Sequence, residues 1–117
     1  MDIVKMNAEL IAEVANEACR KVCEVIGTDL KECRLYGSCA RGDFNEDSDI
    51  DIALIMECDR LGAKRYNSQL ADIAAELAVK YFAIVNFVCL PFDEYEEKKE
   101  WYPYFMNIEK EGAILYG

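Results

Sequence analysis

Leu35-Tyr-Gly-Ser-Cys-Ala-Arg-Gly-Asp-Phe-Asn-Glu-Asp-Ser-Asp-Ile-Asp-Ile-Ala-Leu-Ile-Met-Glu57 is the stretch on which the reading of this chain turns. A short apolar run ends at Gly37-Ser38, a polar loop over 38–48 carries Arg41 and Gly42, and a strand-like alternation then opens with Asp49 and Asp51. Ile50, Ile52, Leu54 and Met56 fall on one face of that strand, while Asp49, Asp51 and Ala53 fall on the other. Two carboxylates at that spacing have Cα atoms about 6.5–7 Å apart, close enough to grip one divalent ion together. A glycine at the preceding strand end lets backbone approach a ligand closely, and the Ser38 hydroxyl and nearby N–H groups suit phosphate oxygens. The order is that of a phosphate site followed by a metal site.

Outward from this stretch, two long helical patterns flank the strands. Residues 8–26 place Leu10, Val14, Ala18 and Val22 on one stripe, with Asn7 suited to cap the start and Gly27 to end it. Cys33 and Leu35 then alternate with polar neighbours, which predicts a first strand over 31–37. A second strand is expected over 49–57 and a second long helix over 61–80, built on Leu70, Ile73, Ala74, Leu77 and Ala78. The apolar run 83–90, broken only by Asn86 and stopped by Pro91, reads as a buried third strand. The tail is aromatic and acidic, with a helix near 103–111 that Pro103 can open; whether 113–116 adds a strand is left open. The aromatics of the tail are expected to pack in the core. This predicts an α+β fold, a small mixed β-sheet with flanking helices, as one domain over 1–117.

Composition narrows the chemistry. The chain has 117 residues, 53% hydrophobic and 31% charged, with a formal net charge of −10. That charge argues against nucleic acid as a partner, because affinity for phosphate backbones comes from clustered Lys and Arg. An anionic nucleotide at an acidic site calls for divalent cations. There is no His, so Ser-His and Cys-His nucleophile arrangements are absent. The six cysteines contain no Cys-x-x-Cys pair and read mostly as small core residues in a reducing, cytoplasmic setting. Residues 1–7 lack the parts of a signal peptide, and no apolar run approaches the roughly 20 residues of a membrane span.

Gly37-Ser38, ten residues, then Asp49-Ile50-Asp51 resembles the signature of the DNA polymerase β-like nucleotidyltransferase superfamily, in particular its minimal nucleotidyltransferases. Arg41-Gly42, Ser48 and the ending Phe105–Tyr116 are similar to the way these domains are written. The resemblance implies the nucleotidyltransferase fold, with Gly37 and Ser38 at the phosphates of a nucleoside triphosphate, ATP by preference, and Asp49 and Asp51 as catalytic ligands of Mg²⁺, Mn²⁺ being the alternative ion. Arg41 either assists the triphosphate or pairs with an acidic loop neighbour. The implied reaction is transfer of AMP to a hydroxyl of a protein or small molecule with release of pyrophosphate. Small members often act as antitoxins of HEPN-domain toxins, which they bind and adenylylate.

Active members usually supply a third carboxylate from the next strand, and the position offered here is Asn86. It is either the third metal ligand or a buried polar residue bonded to backbone. An amide oxygen can ligate a hard cation, yet it adds no charge and cannot accept a proton. The alternative function is therefore a catalytically weak or inactive nucleotide-binding module that neutralises a partner by contact. Glu57, Asp93 or Glu94 could substitute only if the fold brings them near. Oligomeric state is not legible.

Overall fold

The computed structural model describes residues 6–117; residues 1–5, where the absence of a leader is partly read, lie outside them. Helix α1 is Ala8–Ile26, opened by the Asn7 side chain accepting from the Leu10 N–H at 2.8 Å and closed at Gly27, whose φ is +65°. Strand β1 is Leu30–Tyr36, a single helical turn α2 is Ser38–Arg41, and β2 is Ile50–Met56. The expected second helix is divided into α3, Arg60–Ala63, a 3₁₀ turn, and α4, Asn67–Tyr81. The division follows the anchoring of Arg65 and Tyr66 to the Asp29 carboxylate, the Tyr66 hydroxyl at 2.7 Å, which tightens that turn.

Strand β3 is Val85–Pro91, followed by α5, Phe92–Lys98, α6, Pro103–Glu111, and β4, Ala113–Tyr116. Sequence periodicity misses α5 because only Tyr95 in it is buried, although Asp93 and Glu94 suit the first turn of a helix. The sheet order is β3-β2-β1-β4, with β1 antiparallel to both neighbours and β3 parallel to β2. The sheet is thus small and mixed, as expected.

One expectation is corrected. The third strand is only partly buried: β3 pairs only with β2 and forms an edge of the sheet, with Val85 and Leu90 buried, Asn86 exposed and residues 87–89 half-buried. A continuous apolar run marks burial on both faces, and it says nothing about whether a further strand covers the outer edge.

Each face of the sheet carries its own core. Ile50, Ile52, Leu54 and Met56 pack under α1 and α4, against residues such as Val14, Val22 and Leu77. On the other face Ala53, Ile55 and Leu90 pack under α5 and α6 with Tyr95, Phe105 and Ile108. Arg34 lies buried on this second face, its guanidinium 2.8 Å from Glu32 and 3.4 Å from Glu109 of α6, which ties that helix to the sheet. The tail aromatics divide: Tyr95 and Phe105 are core, whereas Trp101, Tyr102 and Tyr104 are exposed. Cys19, Cys33 and Cys39 are buried, Cys23, Cys58 and Cys89 half-buried, and all six are free thiols. Among the described residues no helix is long and apolar enough to cross a membrane.

Leu77 is fully buried between α4 and the sheet. Leu77→Ala is expected to lower stability by about 3 kcal/mol, the usual cost of a large-to-small core change, read as a shift in the denaturant midpoint at unchanged slope.

Candidate active site

The site forms where β1 ends and β2 and β3 begin, on the face that α5 and α6 cover. Register places Tyr36 opposite Asp51 and Asp51 opposite Asn86, so the three lie in one row across the sheet. Asp49, one residue ahead of the β2 ladder, shares the parity of Asp51 and points the same way. The Asn86 amide nitrogen donates to Asp49 Oδ2 at 3.0 Å and to Asp51 Oδ1 at 3.2 Å. Both carboxylates therefore converge on a single point. Asn86 is exposed and bonded to side chains, which overturns its reading as a buried residue held by backbone.

Gly37 allows this convergence. Its φ is +76°, and a Cβ built there would stand 2.9 Å from Asp51 Oδ2. Gly37→Ala is expected to cost about 1–2 kcal/mol from the backbone alone and to push the Asp51 carboxylate aside. Thermal melts and metal titration of that variant check both effects together.

The turn after Gly37 is short. The Gly37 carbonyl accepts from the Ala40 and Arg41 N–H groups at 3.1 and 3.0 Å, which leaves the Ser38 and Cys39 N–H groups as those a helical start does not satisfy internally. Cys39 is buried and its thiol lies 3.3 Å from the Asp49 carbonyl, tying the turn to the first aspartate. Burial, with the Asp51 charge nearby, pushes the Cys39 thiol up. The loop between is set by the Asn45 N–H donating to Ser48 Oγ at 2.9 Å and the Asp47 N–H donating to Asn45 Oδ1 at 2.8 Å.

Arg41 closes α2 and faces carboxylates: its guanidinium meets Asp43 at 3.2 Å and Glu111 at 3.4 Å. Those two partners raise its already high pKa. Glu57, Asp93 and Glu94 do not reach the site; they line a cavity of about 580 Å³ with Met56 and Pro91, at the opposite ends of β2 and β3. That larger cavity holds none of the phosphate or carboxylate residues.

One residue beside the carboxylates, and its partner on α6, escape sequence reading. Tyr36 flanks Asp51, and its hydroxyl lies 3.3 Å from that of Tyr104 on α6. Burial first, then the bond to Tyr104, pushes the Tyr36 hydroxyl well above the usual phenol range. Its parity in β1 is a usable signal once the β1–β2 register is known; Tyr104 leaves none.

Among the described residues no three His, Cys, Asp or Glu side chains gather as a metal site. The donor set is instead two carboxylates and one amide, all with oxygen donors of the kind a hard divalent cation takes. In the present arrangement the amide turns its nitrogen to both carboxylates, as a cation would stand. The residues fit Mg²⁺ or Mn²⁺ on that ground, with Asn86 able to present its oxygen after rotation of the amide.

The family model described as nucleotidyltransferase domain matches residues 13–116. An inferred protein adenylyltransferase of Methanocaldococcus jannaschii, MJ0604, is 31% identical over 87 residues, which is 74% of this chain and 79% of that protein. Among solved structures, an inferred nucleotidyltransferase from Sulfolobus solfataricus superposes with a TM-score of 0.52 at 18% identity, covering 97% of this chain and 90% of that one. A toxin–antitoxin with AMP-PNP gives a TM-score of 0.56 at 20% identity, over 87% of this chain and 73% of that one. At these identities the structures speak for the fold. The family match spans most of the described chain, and with it the row of Asp51 and Asn86 beside Gly37: the chain belongs to the nucleotidyltransferase domain family.

Proposed function

We propose that this domain transfers AMP from ATP to a hydroxyl of a protein, in a reaction that depends on Mg²⁺ held by Asp49, Asp51 and Asn86. The observation that carries the reading is the convergence of Asp49 and Asp51 on the Asn86 amide, directly beside the Gly37-Ser38 turn. When bound, a divalent ion would neutralise triphosphate charge and favour departure of pyrophosphate. Gly37 keeps the backbone clear, and Ser38 offers a hydroxyl to the phosphates. Arg41 lies one helical turn from Ser38, where a triphosphate would compete with Asp43 and Glu111 for its guanidinium.

A protein acceptor is supported by the relation to an inferred protein adenylyltransferase. The family resemblance makes a HEPN-domain toxin our proposed acceptor; the likeness in fold to a toxin–antitoxin supports a toxin partner, and a net charge of −10 suits a basic one. Incubation with labelled ATP, Mg²⁺ and a candidate HEPN protein tests this: label on the acceptor that chelator abolishes is the expected result. Absence of transfer with any metal or nucleotide would sink the reading.

The specific nature of Asn86 favours a second reading, a module that binds nucleotide and neutralises its partner by contact alone. An amide cannot take the proton of an attacking hydroxyl, so this domain lacks at that position the base a carboxylate would provide. Complex formation that silences the partner without label transfer would select this reading.

A further inference from the structure

The open edge of β3 leads directly to the carboxylate pair. The Ile84 carbonyl accepts from the Ile50 N–H at 2.8 Å, so even-numbered residues of this strand turn their backbone groups to β2. The odd-numbered ones, Phe87 and Cys89 among them, turn theirs away from the sheet. A groove of about 380 Å³ runs along this side, walled by Leu70, Ala71 and Ala74 of α4 and by β3 from residue 85 to 89. Because consecutive β3 residues line it, the groove follows the rim of the strand and not one face of the sheet.

Natural edge strands are blunted by charges, bulges, prolines or shortness. β4, the other edge, has only four residues. β3 has seven, pairs with β2 in unbroken register, carries no charged side chain, and has its one proline at the last position. Nothing in its sequence discourages a further strand.

We propose that this edge receives an extended segment of the acceptor protein as a fifth strand, with its hydroxyl-bearing side chain at the Asn86 end. The occupant follows from continuity and charge. Asn86, whose amide binds both Asp49 and Asp51, lines the groove at its β3 start beside Val85, so a strand laid along it delivers a side chain to the carboxylates. Ala71 and Ala74 leave room for side chains on the α4 side. A chain of net charge −10 favours a segment flanked by Lys or Arg and disfavours a second copy of itself. The chemistry rests on the nucleotidyltransferase reading: the hydroxyl oxygen of the segment bonds to the α-phosphorus of ATP, the bond from that phosphorus to the bridging oxygen breaks, pyrophosphate leaves, and the hydroxyl proton passes to solvent. The docking itself stands apart from that step.

The test uses the whole chain and an arrayed set of peptides of about ten residues, long enough to span the strand. Each holds one Ser, Thr or Tyr between Lys or Arg flanks. Binding, amide hydrogen exchange and AMP addition by mass are read separately. The expected result is a bound peptide that slows exchange at the outward Phe87 and Cys89 amides by about tenfold or more. Ala71→Arg, on an exposed helix position, should abolish peptide binding with ATP affinity unchanged. Cys89→Pro, which removes an N–H the sheet does not use, should do the same. Peptide binding with protection but without AMP transfer upholds the docking and counts against the nucleotidyltransferase reading. The docking proposal is overturned if no peptide binds, if Ala71→Arg binds as well as the native chain, or if protection of β3 rises with protein concentration alone as a dimer forms in light scattering.

Discussion

Asp51→Asn is expected to lower AMP transfer by at least about 10²–10³-fold, the loss that follows removal of one preorganised charge stabiliser at a reacting phosphate. The side chain keeps its shape, so the row with Tyr36 and Asn86 remains. Stability should hold or rise, because two carboxylates that share one amide repel each other in the absence of a cation. Asp49→Asn should behave alike, and the double variant should lose little more than either one, since both serve a single ion. Transfer assays beside thermal melts check the pair of effects. A variant with full activity, or one that loses activity only by unfolding, would remove the aspartates from the chemistry.

Asn86→Asp is expected to act in the opposite sense. It sets a third carboxylate where the amide now donates at 3.0 and 3.2 Å. Metal affinity should tighten by about tenfold or more, and general-base assistance, worth about 10²–10⁴-fold where it operates, becomes available to the attacking hydroxyl. Without metal the variant should melt earlier than the native chain. Three carboxylates at one point repel one another where no cation stands between them. Mg²⁺ should erase the difference. Calorimetric titration and melts with and without chelator test both parts; unchanged metal affinity would show that Asn86 is no ligand.

What the sequence reveals of this site follows from local geometry. Gly37, Asp49 and Asp51 are legible because each acts through its own strand end, where a glycine and a period of two carry the meaning. The pairing of Asp51 with Asn86 is a matter of register between strands far apart in the chain, and here the family resemblance, not the pattern, pointed to residue 86. Tyr36 and Tyr104 needed the packing of α6 on β1. The apolar run of β3 reads as buried because Val85, Phe87 and Leu90 report the two faces of a strand and nothing about its rim. The helix α5 hid behind charged residues, with Tyr95 as its single buried anchor. Arg41, for which the sequence offers either phosphate or an ion pair, stands with Asp43 and Glu111.

The parallel pairing of β3 with β2 also sets an order of assembly. β1 and β2 are antiparallel and close across the loop that follows Gly37, whereas β3 can join only after the chain has crossed through α3 and α4. Contacts over short separations form first, because less chain entropy is lost in closing them. Asp49 and Asp51, neighbours on one strand, are therefore placed beside β1 by an early hairpin, and the amide that bonds to both arrives only with β3, before β4 closes the far edge. A divalent cation at the two carboxylates is therefore expected to favour the β1–β2 pairing before β3 supplies its amide, read as a faster refolding rate when Mg²⁺ is present.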